Sequence, residues 1–356
     1  MGLLNLSLRN FRCFASAELE FAPTLNLING ENASGKSSLI ESIFILGRGR
    51  SFKTANLESA ISTGTQGFQI AGQVSSLASP VHIGLVREGG QLKAKIAGET
   101  PTNLAQLSET FPVQLVDSSA HQLIRGGPRC RRQFLDWGVF HVEPGFFPAW
   151  RRYQRTLHQR NVLLRAGKHE KEIQSWDGEL IIQGEILDRY RQDYLSKLLP
   201  TAIAWTRWAL GGLSLDLEYQ SGWPSDQNFS EALQGAITRD RDAGMTRLGP
   251  HRADMRIQID GKAAQACVSS GQEKVLAGSL LLAQAAVYHL LMGRPCTLLL
   301  DDLAAELDAG HLSRFLECVV ETGAQTHITA IESSPIIMSH VAKTFHVKQG
   351  KIVQVV

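Results

Sequence analysis

Residues 30–37 of this 356-residue chain read GENASGKS, which matches the pattern G-x-x-x-x-G-K-[ST]. The apolar segment 25–28 (LNLI) before the motif predicts a strand, and the segment 37–46 (SSLIESIFIL) predicts a helix. Strand, glycine-bearing loop and helix in this order are the context in which the pattern forms a phosphate-binding loop. The feature therefore predicts an α/β unit that holds the phosphates of ATP.

The residues of this loop have distinct predicted roles. Backbone N–H groups and the helix N-terminus face the phosphates, and Gly30 and Gly35 allow the tight turn. Lys36 is expected to reach the β- and γ-phosphates, and the Ser37 hydroxyl to coordinate Mg²⁺, which prefers hard oxygen ligands. The predicted ATP-binding residues are Gly30, Glu31, Asn32, Ala33, Ser34, Gly35, Lys36, Ser37 and Ser38.

Two adjacent carboxylates, Asp301 and Asp302, follow the apolar segment 297–300 (TLLL). Two acids at the end of a buried strand are costly unless they have a role. In this pattern, called Walker B, Asp301 is predicted to assist Mg²⁺ binding and Asp302 to polarise the attacking water. The predicted catalytic residues are thus Lys36, Asp301 and Asp302, and the predicted metal ligands are Ser37 and Asp301.

The segment 268–274 (VSSGQEK) resembles the LSGGQ signature of ABC-type ATPases, in which the signature of one protomer faces the γ-phosphate held by another. The serines at a helix start would offer that phosphate a hydroxyl and a positive dipole. The residues concerned are Ser269, Ser270, Gly271 and Gln272. The resemblance implies an ATP-dependent homodimer.

The same resemblance places Asp308, in AAELD, at the D-loop position. Thr329 or Glu332 lies near the switch-histidine position, to which no residue is assigned.

The rest of the chain predicts two domains. Alternating segments at 68–116 predict an antiparallel sheet, and α/β character returns near the C-terminal third of the chain. Between them, apolar residues at heptad-like spacing from Phe146 to Tyr194 predict a helical hairpin. The expected fold is α/β: an ABC-type P-loop ATPase head, with a mixed sheet and an antiparallel β subdomain (1–118 and 252–356), and an inserted mainly helical arm (119–251).

Several stretches resemble the RecF family of the SMC/RecF superfamily. Most of the chain separates Lys36 from Ser270, whereas a transporter ATPase places its signature much nearer the P-loop and SMC proteins insert a very long coiled coil. The matching stretches are LLNLSLRNFRCF, with Asn10, Phe11 and Arg12 expected near the nucleotide, IESIFILGRGRSFKT, RGGPRCRRQFLDWGVFHVEP and LGPHRADMRI.

This resemblance implies an ATP-dependent DNA-binding protein of recombinational repair and replication. The implied partners are single- and double-stranded DNA at gaps or junctions, a second copy of the chain, RecR and RecO, and indirectly RecA. The implied enzyme is a weak DNA-dependent ATPase whose hydrolysis step resets the dimer. Two alternatives remain open: an ABC transporter-type ATPase subunit and a non-enzymatic nucleotide-binding scaffold.

Charge alone gives little support for a DNA partner, since 36 Lys and Arg face 34 Asp and Glu, a formal net charge of +2. Local arginine clusters are the candidates for phosphate contact, and the alternative for each cluster is a solvated helix surface. A third basic patch is formed by Arg48, Arg50 and Lys53. The predicted DNA-binding residues are Arg125, Arg129, Arg131, Arg132, Arg151 and Arg155.

Other features favour a cytoplasmic protein without a membrane partner. The longest apolar stretch, 280–292, falls short of the roughly 20 residues that a membrane-spanning helix needs. The N-terminal segment alternates like a strand and lacks the pattern of a signal peptide. The five cysteines form no CxxC pair, which argues against a disulfide framework or a zinc site.

Overall fold

The computed structural model describes residues 2–76, 79–302, 307–332 and 334–355. The strands are β1 (Leu3–Phe11), β2 (Phe14–Glu20), β3 (Leu25–Asn29), β4 (Gly67–Val74), β5 (Val81–Glu88), β6 (Gln91–Ile96), β7 (Val113–Val116), β8 (Leu215–Gln220), β9 (Asp254–Ile259), β10 (Lys262–Ala263), β11 (Thr297–Leu300), β12 (Thr326–Ala330), β13 (Val341–Lys348) and β14 (Lys351–Val355). The α-helices are α1 (Lys36–Arg48), α2 (Ala105–Thr110), α3 (Gln122–Arg125), α4 (Pro128–Val142), α5 (Phe146–Arg165), α6 (Glu170–Gln174), α7 (Asp177–Ala209), α8 (Phe229–Gly235), α9 (Ile237–Ala243), α10 (Ala264–Cys267), α11 (Ser270–Met292), α12 (Ala309–Glu321) and α13 (Pro335–Met338).

The chain divides into two compact units. The first contains Met1–Ala120, Trp208–Leu210 and Lys274–Val356, and the second contains His121–Arg207 and Gly211–Glu273. The sequence predicts that the first domain resumes at residue 252, whereas in the structure residues up to 273 belong to the second unit. The reason is β9, which pairs antiparallel with β8, a strand that the sequence analysis did not identify in the arm.

A six-stranded sheet of order β14-β13-β3-β12-β11-β7 organises the first unit. The neighbours from β13 to β7 run parallel, and β14 is antiparallel at the edge. Residues of β11 and β12 are buried throughout, as expected for strands covered on both faces. Carboxyl ends of parallel strands meet at one edge, so the loops that follow β3, β11 and β12 lie together there.

An antiparallel sheet of order β2-β1-β4-β5-β6 forms the rest of the head's β structure. The alternation at 68–116 predicted its strands β4 to β6, whereas β7, in the same stretch, pairs parallel with β11 in the other sheet. Its inward side chains and those of α1 share one apolar core. Each of these residues is fully buried or nearly so, which at about 25 cal/mol per Å² of apolar surface makes the core the main source of stability. The core includes Leu6, Leu8, Phe11, Ile40, Ile43, Leu46, Phe68, Ile70, Ile83 and Leu85.

Long helices dominate the second unit, and a small sheet of order β10-β9-β8 accompanies them. The heptad-like stripe of the sequence is core packing: residues such as Tyr153 on α5 and Leu187 on α7 are buried. Gly184 of α7 is needed for this packing, because a Cβ atom there would lie 2.5 Å from the Phe229 ring. The hairpin predicted from the stripe corresponds to α5 and α7, with short α6 between them.

Helix α11 is the most apolar of the long helices. Among the described residues it alone is long and apolar enough to cross a membrane by length and composition, and 67% of its most apolar window is buried inside the protein. Its buried Gln284 accepts a hydrogen bond from Gln114 Nε2 at 3.1 Å. Most of the apolar surface of α11 therefore packs within the protein interior.

Candidate functional site

The P-loop connects β3 to α1 through backbone conformations that glycine permits. Gly30 has φ 149° and Gly35 has φ 120°, and Ala33 adopts a left-handed φ of 61°. A Cβ atom on Gly30 would lie 2.3 Å from the carbonyl oxygen of Val347, and one on Gly35 would lie 2.7 Å from Cys13 Sγ. Both motif glycines are thus required by torsion angle and by close packing.

The ammonium group of Lys36 lies inside this loop. Lys36 is 6% exposed, and its Nζ donates to the carbonyl oxygens of Gly30 at 2.8 Å and Glu31 at 2.9 Å. These bonds hold the positive charge at the first turn of α1, where the helix N-terminus already favours an anion. The loop therefore offers both features of a phosphate site, oriented N–H groups and a fixed cation.

Asp301 follows β11 at the same edge of the sheet and is 7% exposed. Burial raises the pKa of this carboxyl group, and hydrogen bonds from Thr329 and Ser37 oppose that increase. A serine hydroxyl beside a buried carboxylate is the pair of hard oxygen ligands that Mg²⁺ takes alongside phosphate oxygens and water. The residues present therefore fit the ion predicted from the sequence, with Ser37 and Asp301 as its protein ligands.

Asp302 is exposed and has a left-handed φ of 60°. Its side chain lines the same cleft as Lys36 and Ser37. Such a conformation is uncommon outside glycine, and an observed outlier of this kind is a reason to look for function. The structure thus places the residue predicted to polarise the attacking water in the same cleft as the P-loop.

The cleft over the P-loop has a volume of about 420 Å³ and polar walls. Arg12, at the turn after β1, lines it as the RecF-like opening segment led us to expect. Other wall residues were not identified from the sequence, because no local pattern marks residues that reach a site through turns. They are Cys13, Lys53, Ser59, Ile61 and Thr63.

The predicted signature begins α11 and belongs to the second unit. Ser269 caps the helix: its Oγ accepts from Gln272 N at 3.3 Å, and Gln272 Oε1 accepts from Ser269 N at 2.9 Å. Ser270 and Gly271 are exposed at the first turn. The segment is therefore a capped helix start with an accessible serine and glycine, which suits an anion supplied from outside.

The predicted D-loop residue, Asp308, caps α12 by accepting from His311 N at 2.9 Å. Hydrogen bonds from His311 lower the pKa of Asp308. Residues 304–306 of the same AAELD stretch, and Ser333 beyond β12, lie outside the described residues. Glu332 is exposed.

The predicted DNA-binding arginines fall into two classes. Arg125 donates to Glu273 at 2.7 Å, Arg131 makes a two-point ion pair with Asp254, and Arg132 donates to the Ala253 carbonyl at 2.6 Å. These contacts stay within the second unit and compete with any phosphate. In the second class, Arg129, Arg151 and Arg155 are exposed on their helices. Arg125 is also exposed, although it is paired.

The third basic patch does not form a single open surface. The Arg48 guanidinium lies 5.9 Å from the centre of the Phe44 ring. Lys53 lines the nucleotide cleft, and Arg50 is exposed. Lys53 is therefore better placed to meet a nucleotide than a DNA backbone.

The similarity of this chain to known proteins extends over nearly its whole length. The family model described as RecF/RecN/SMC N terminal domain matches residues 2–353. The chain is similar to proteins named DNA replication and repair protein RecF: it is 36% identical to that of Vibrio cholerae over 363 residues (99% of this chain, 100% of the relative) and 37% identical to that of Nitrosococcus oceani over 362 residues (100% of both).

Solved structures similar to this chain include a RecF protein and an SMC head. A structure described as the recombination mediator protein RecF-ATP in the RecFOR pathway matches with a TM-score of 0.89 and 26% identity, covering 100% of this chain and 98% of that one. An SMC head bound to the C-winged helix domain of ScpA matches with a TM-score of 0.63 and 15% identity, covering 100% and 98%, which shows the fold alone. The predicted ABC-type ATPase fold with a helical arm is confirmed.

Proposed function

This chain belongs to the RecF family of DNA replication and repair proteins, and we propose that ATP binding makes two copies of it close head to head on DNA. Hydrolysis then resets the dimer. The observation that carries the proposal is the convergence of Lys36, Ser37, Asp301 and Asp302 at one edge of the parallel sheet. A P-loop with a Walker B pair in this arrangement binds and hydrolyses a nucleoside triphosphate.

Each residue has a separate task in the proposed reaction. Lys36 holds the β- and γ-phosphates, and the P-loop N–H groups bind their oxygens. Ser37 and Asp301 would hold Mg²⁺, which neutralises charge that develops on the phosphates. Asp302 orients the attacking water, since its side chain lies in the cleft next to these residues.

Dimer closure rests on the signature. An exposed helix start at Ser270 and Gly271 is an anion site, and a γ-phosphate held by another protomer is the anion that ABC-type heads supply. Because Ser269 already caps α11, Ser270 is the residue whose hydroxyl we assign to the trans contact. Asp308 would act at the same interface.

DNA contact in this proposal is electrostatic and conditional on the dimer. The exposed Arg129, Arg151 and Arg155 supply phosphate contacts, and a second protomer doubles their number. A chain of net charge +2 has little long-range attraction for DNA by itself. By its resemblance to the RecF family, the protein would act at gaps or single-strand/duplex junctions, and ATP would select the bound form.

The chain is similar to a structure described as a recombination mediator in the RecFOR pathway, and this similarity supports the partners of the proposal. These are RecR and RecO, through which RecA is placed on single-stranded DNA. The protein would act in the cytoplasm as a weak ATPase stimulated by DNA. A transporter subunit or an inactive scaffold is the competing function.

DNA affinity measured with and without ATP across a salt series tests the proposal. We expect tighter binding with ATP and a steep negative slope of log affinity against log salt, because phosphate contacts release counterions. Lys36→Ala should abolish the ATP effect, and Lys95→Ala, on the exposed edge strand β6, is the matched control. ATP-independent weak binding by the wild-type protein would favour the competing functions.

Size measurement by light scattering tests dimer closure separately. Ser270→Arg should keep ATP on each monomer and prevent the ATP-dependent dimer. This variant is preferable to Ser269→Arg, which also removes the cap of α11. If Lys36→Ala and wild type dimerise equally with ATP, the closed-dimer model is wrong.

A further inference from the structure

Thr329, near the end of β12, contacts both residues of the Walker B pair. Its hydroxyl donates to Asp301 Oδ1 at 3.0 Å and accepts from the backbone N–H of Asp302 at 2.8 Å. The side chain has no exposed surface. The Thr329 hydroxyl has one proton, which it donates to Asp301. Its oxygen lone pairs remain free to accept from the Asp302 backbone N–H, so both bonds form at once.

Sheet topology explains why these residues meet. Strands β11 and β12 are parallel neighbours, with Leu300 opposite Ile328. Asp301 follows Leu300 and Thr329 follows Ile328, so the two side chains lie together where the sheet ends. They come from segments far enough apart in sequence that no local motif joins them.

From this geometry we propose that Thr329 is a positioning residue for the Walker B pair, a role that rests on the proposed ATPase function. By holding one oxygen of Asp301, it restricts rotation of the carboxylate that would serve as a metal ligand. By accepting from Asp302 N, it stabilises the left-handed backbone from which the Asp302 side chain enters the cleft. One hydroxyl thus fixes the metal ligand and the residue that orients the water.

Partners that orient a metal ligand contribute strongly even though they never touch the metal. Loss of such a partner typically reduces metal affinity about 10- to 100-fold. Thr329→Val keeps the shape of the side chain and removes both hydrogen bonds. We expect it to weaken the magnesium-dependent part of nucleotide binding by about tenfold, while nucleotide binding without metal is retained because the P-loop is untouched.

The measurement is the affinity for a fluorescent ATP analogue, methylanthraniloyl-ATP, in MgCl₂ and in EDTA. The ratio of the two dissociation constants is the magnesium effect. Thr329→Ser keeps the hydroxyl and should preserve this ratio within about threefold of the wild-type value. Thr326→Val, on the same strand, is the matched control, since that buried hydroxyl donates to the Ala324 carbonyl at 3.2 Å and not to Asp301.

Three results would overturn the proposal: a wild-type ratio in Thr329→Val, an equal loss in Thr329→Ser, or an equal loss of affinity in EDTA, which would show general damage to the loop. If Thr329→Val does not fold, Thr329→Ala removes the same hydroxyl and carries the same expectation. A wild-type protein with no magnesium effect would instead contradict the proposed roles of Ser37 and Asp301.

Discussion

Arg12 donates from Nε and Nη2 to the two carboxylate oxygens of Glu41, at 2.9 and 2.7 Å. Glu41 lies on α1 with no exposed side-chain surface, whereas the Arg12 side chain is 22% exposed and lines the nucleotide cleft. The same guanidinium donates from Nη1 to the Ser59 carbonyl at 2.6 Å. A wall of the cleft is therefore fixed to the helix that carries Lys36.

Removal of Arg12 should destabilise the protein. Arg12→Ala removes the cation that pairs with the buried Glu41 carboxylate, to which Ser51 Oγ also donates. Breaking a buried ion pair in this way costs about 3 kcal/mol. Guanidinium chloride unfolding followed by far-ultraviolet circular dichroism measures the effect. Arg9→Ala, at an exposed position on β1, is the control and should change stability by less than about 0.5 kcal/mol.

Asp302→Asn should separate ATP binding from turnover. An amide keeps the size of the side chain but accepts a proton poorly, so we expect ATP affinity within about threefold of wild type and turnover lower by at least about 100-fold. The ATP-bound dimer should then persist on a sizing column. Single-turnover hydrolysis at saturating ATP is the direct measurement, and an unchanged rate would remove Asp302 from the proposed mechanism.

Arg160 should be needed for the stability of the arm and should make no contact with DNA. It is fully buried and pairs with Asp177 and Asp240, both at 2.7 Å. Arg160→Ala leaves two buried carboxylates unpaired, which should cost about 3–5 kcal/mol. Tryptophan fluorescence can follow this change, and the exposed Arg155→Ala on the same helix should unfold like wild type.

The paired variant Arg151→Ala/Arg155→Ala tests the exposed surface of α5. Each lost phosphate contact reduces the salt slope of log affinity by about 0.9, so the slope should become shallower by about 2 units per protomer. Stability should be unchanged, because both residues are exposed. Fluorescence anisotropy with gapped DNA in a salt series gives the slope, and an unchanged slope would assign DNA contact to another surface.

Acid should destabilise the head through His327. This ring is fully buried against Phe21, and burial lowers the pKa of His327 to about 3. The unfolded chain takes up the proton near pH 6.5 and the folded chain only near pH 3, so stability is lost as pH falls through this window. Between pH 7 and pH 5 the contribution is about 2 kcal/mol. Unfolding of His327→Leu at both pH values should show a correspondingly smaller loss.

Local sequence patterns predicted the elements of the site better than their contacts. The P-loop, the strand before Asp301 and the helix that begins at Ser270 are each recognisable from adjacent residues. By contrast, the Asp301–Thr329 contact depends on which strands are neighbours in the sheet. Periodicity within one segment cannot indicate that order.

The arginines show that local charge in the sequence does not indicate which residues are buried or paired. Arg160 lies on the same helix as Arg151 and Arg155, yet it is buried and pairs with acids of α7 and α9. Arg131 is paired with Asp254, more than 100 residues later. Strand β8 was not identified within the arm, which was predicted to be mainly helical, because a strand of six residues gives little periodic signal beside long helices.

Val347 and Gly350, near the C-terminal end of the sequence, pack against the P-loop. The carbonyl of Val347 lies against Gly30, and Gly350 N donates to the Ser34 carbonyl at 3.1 Å. A ribosome releases the loop about 300 residues before it releases the strand that shapes it. During synthesis, every motif of the nucleotide site would be present before the site can form. A chain interrupted ahead of β13 would therefore lack the backbone that packs against Gly30 and Ser34.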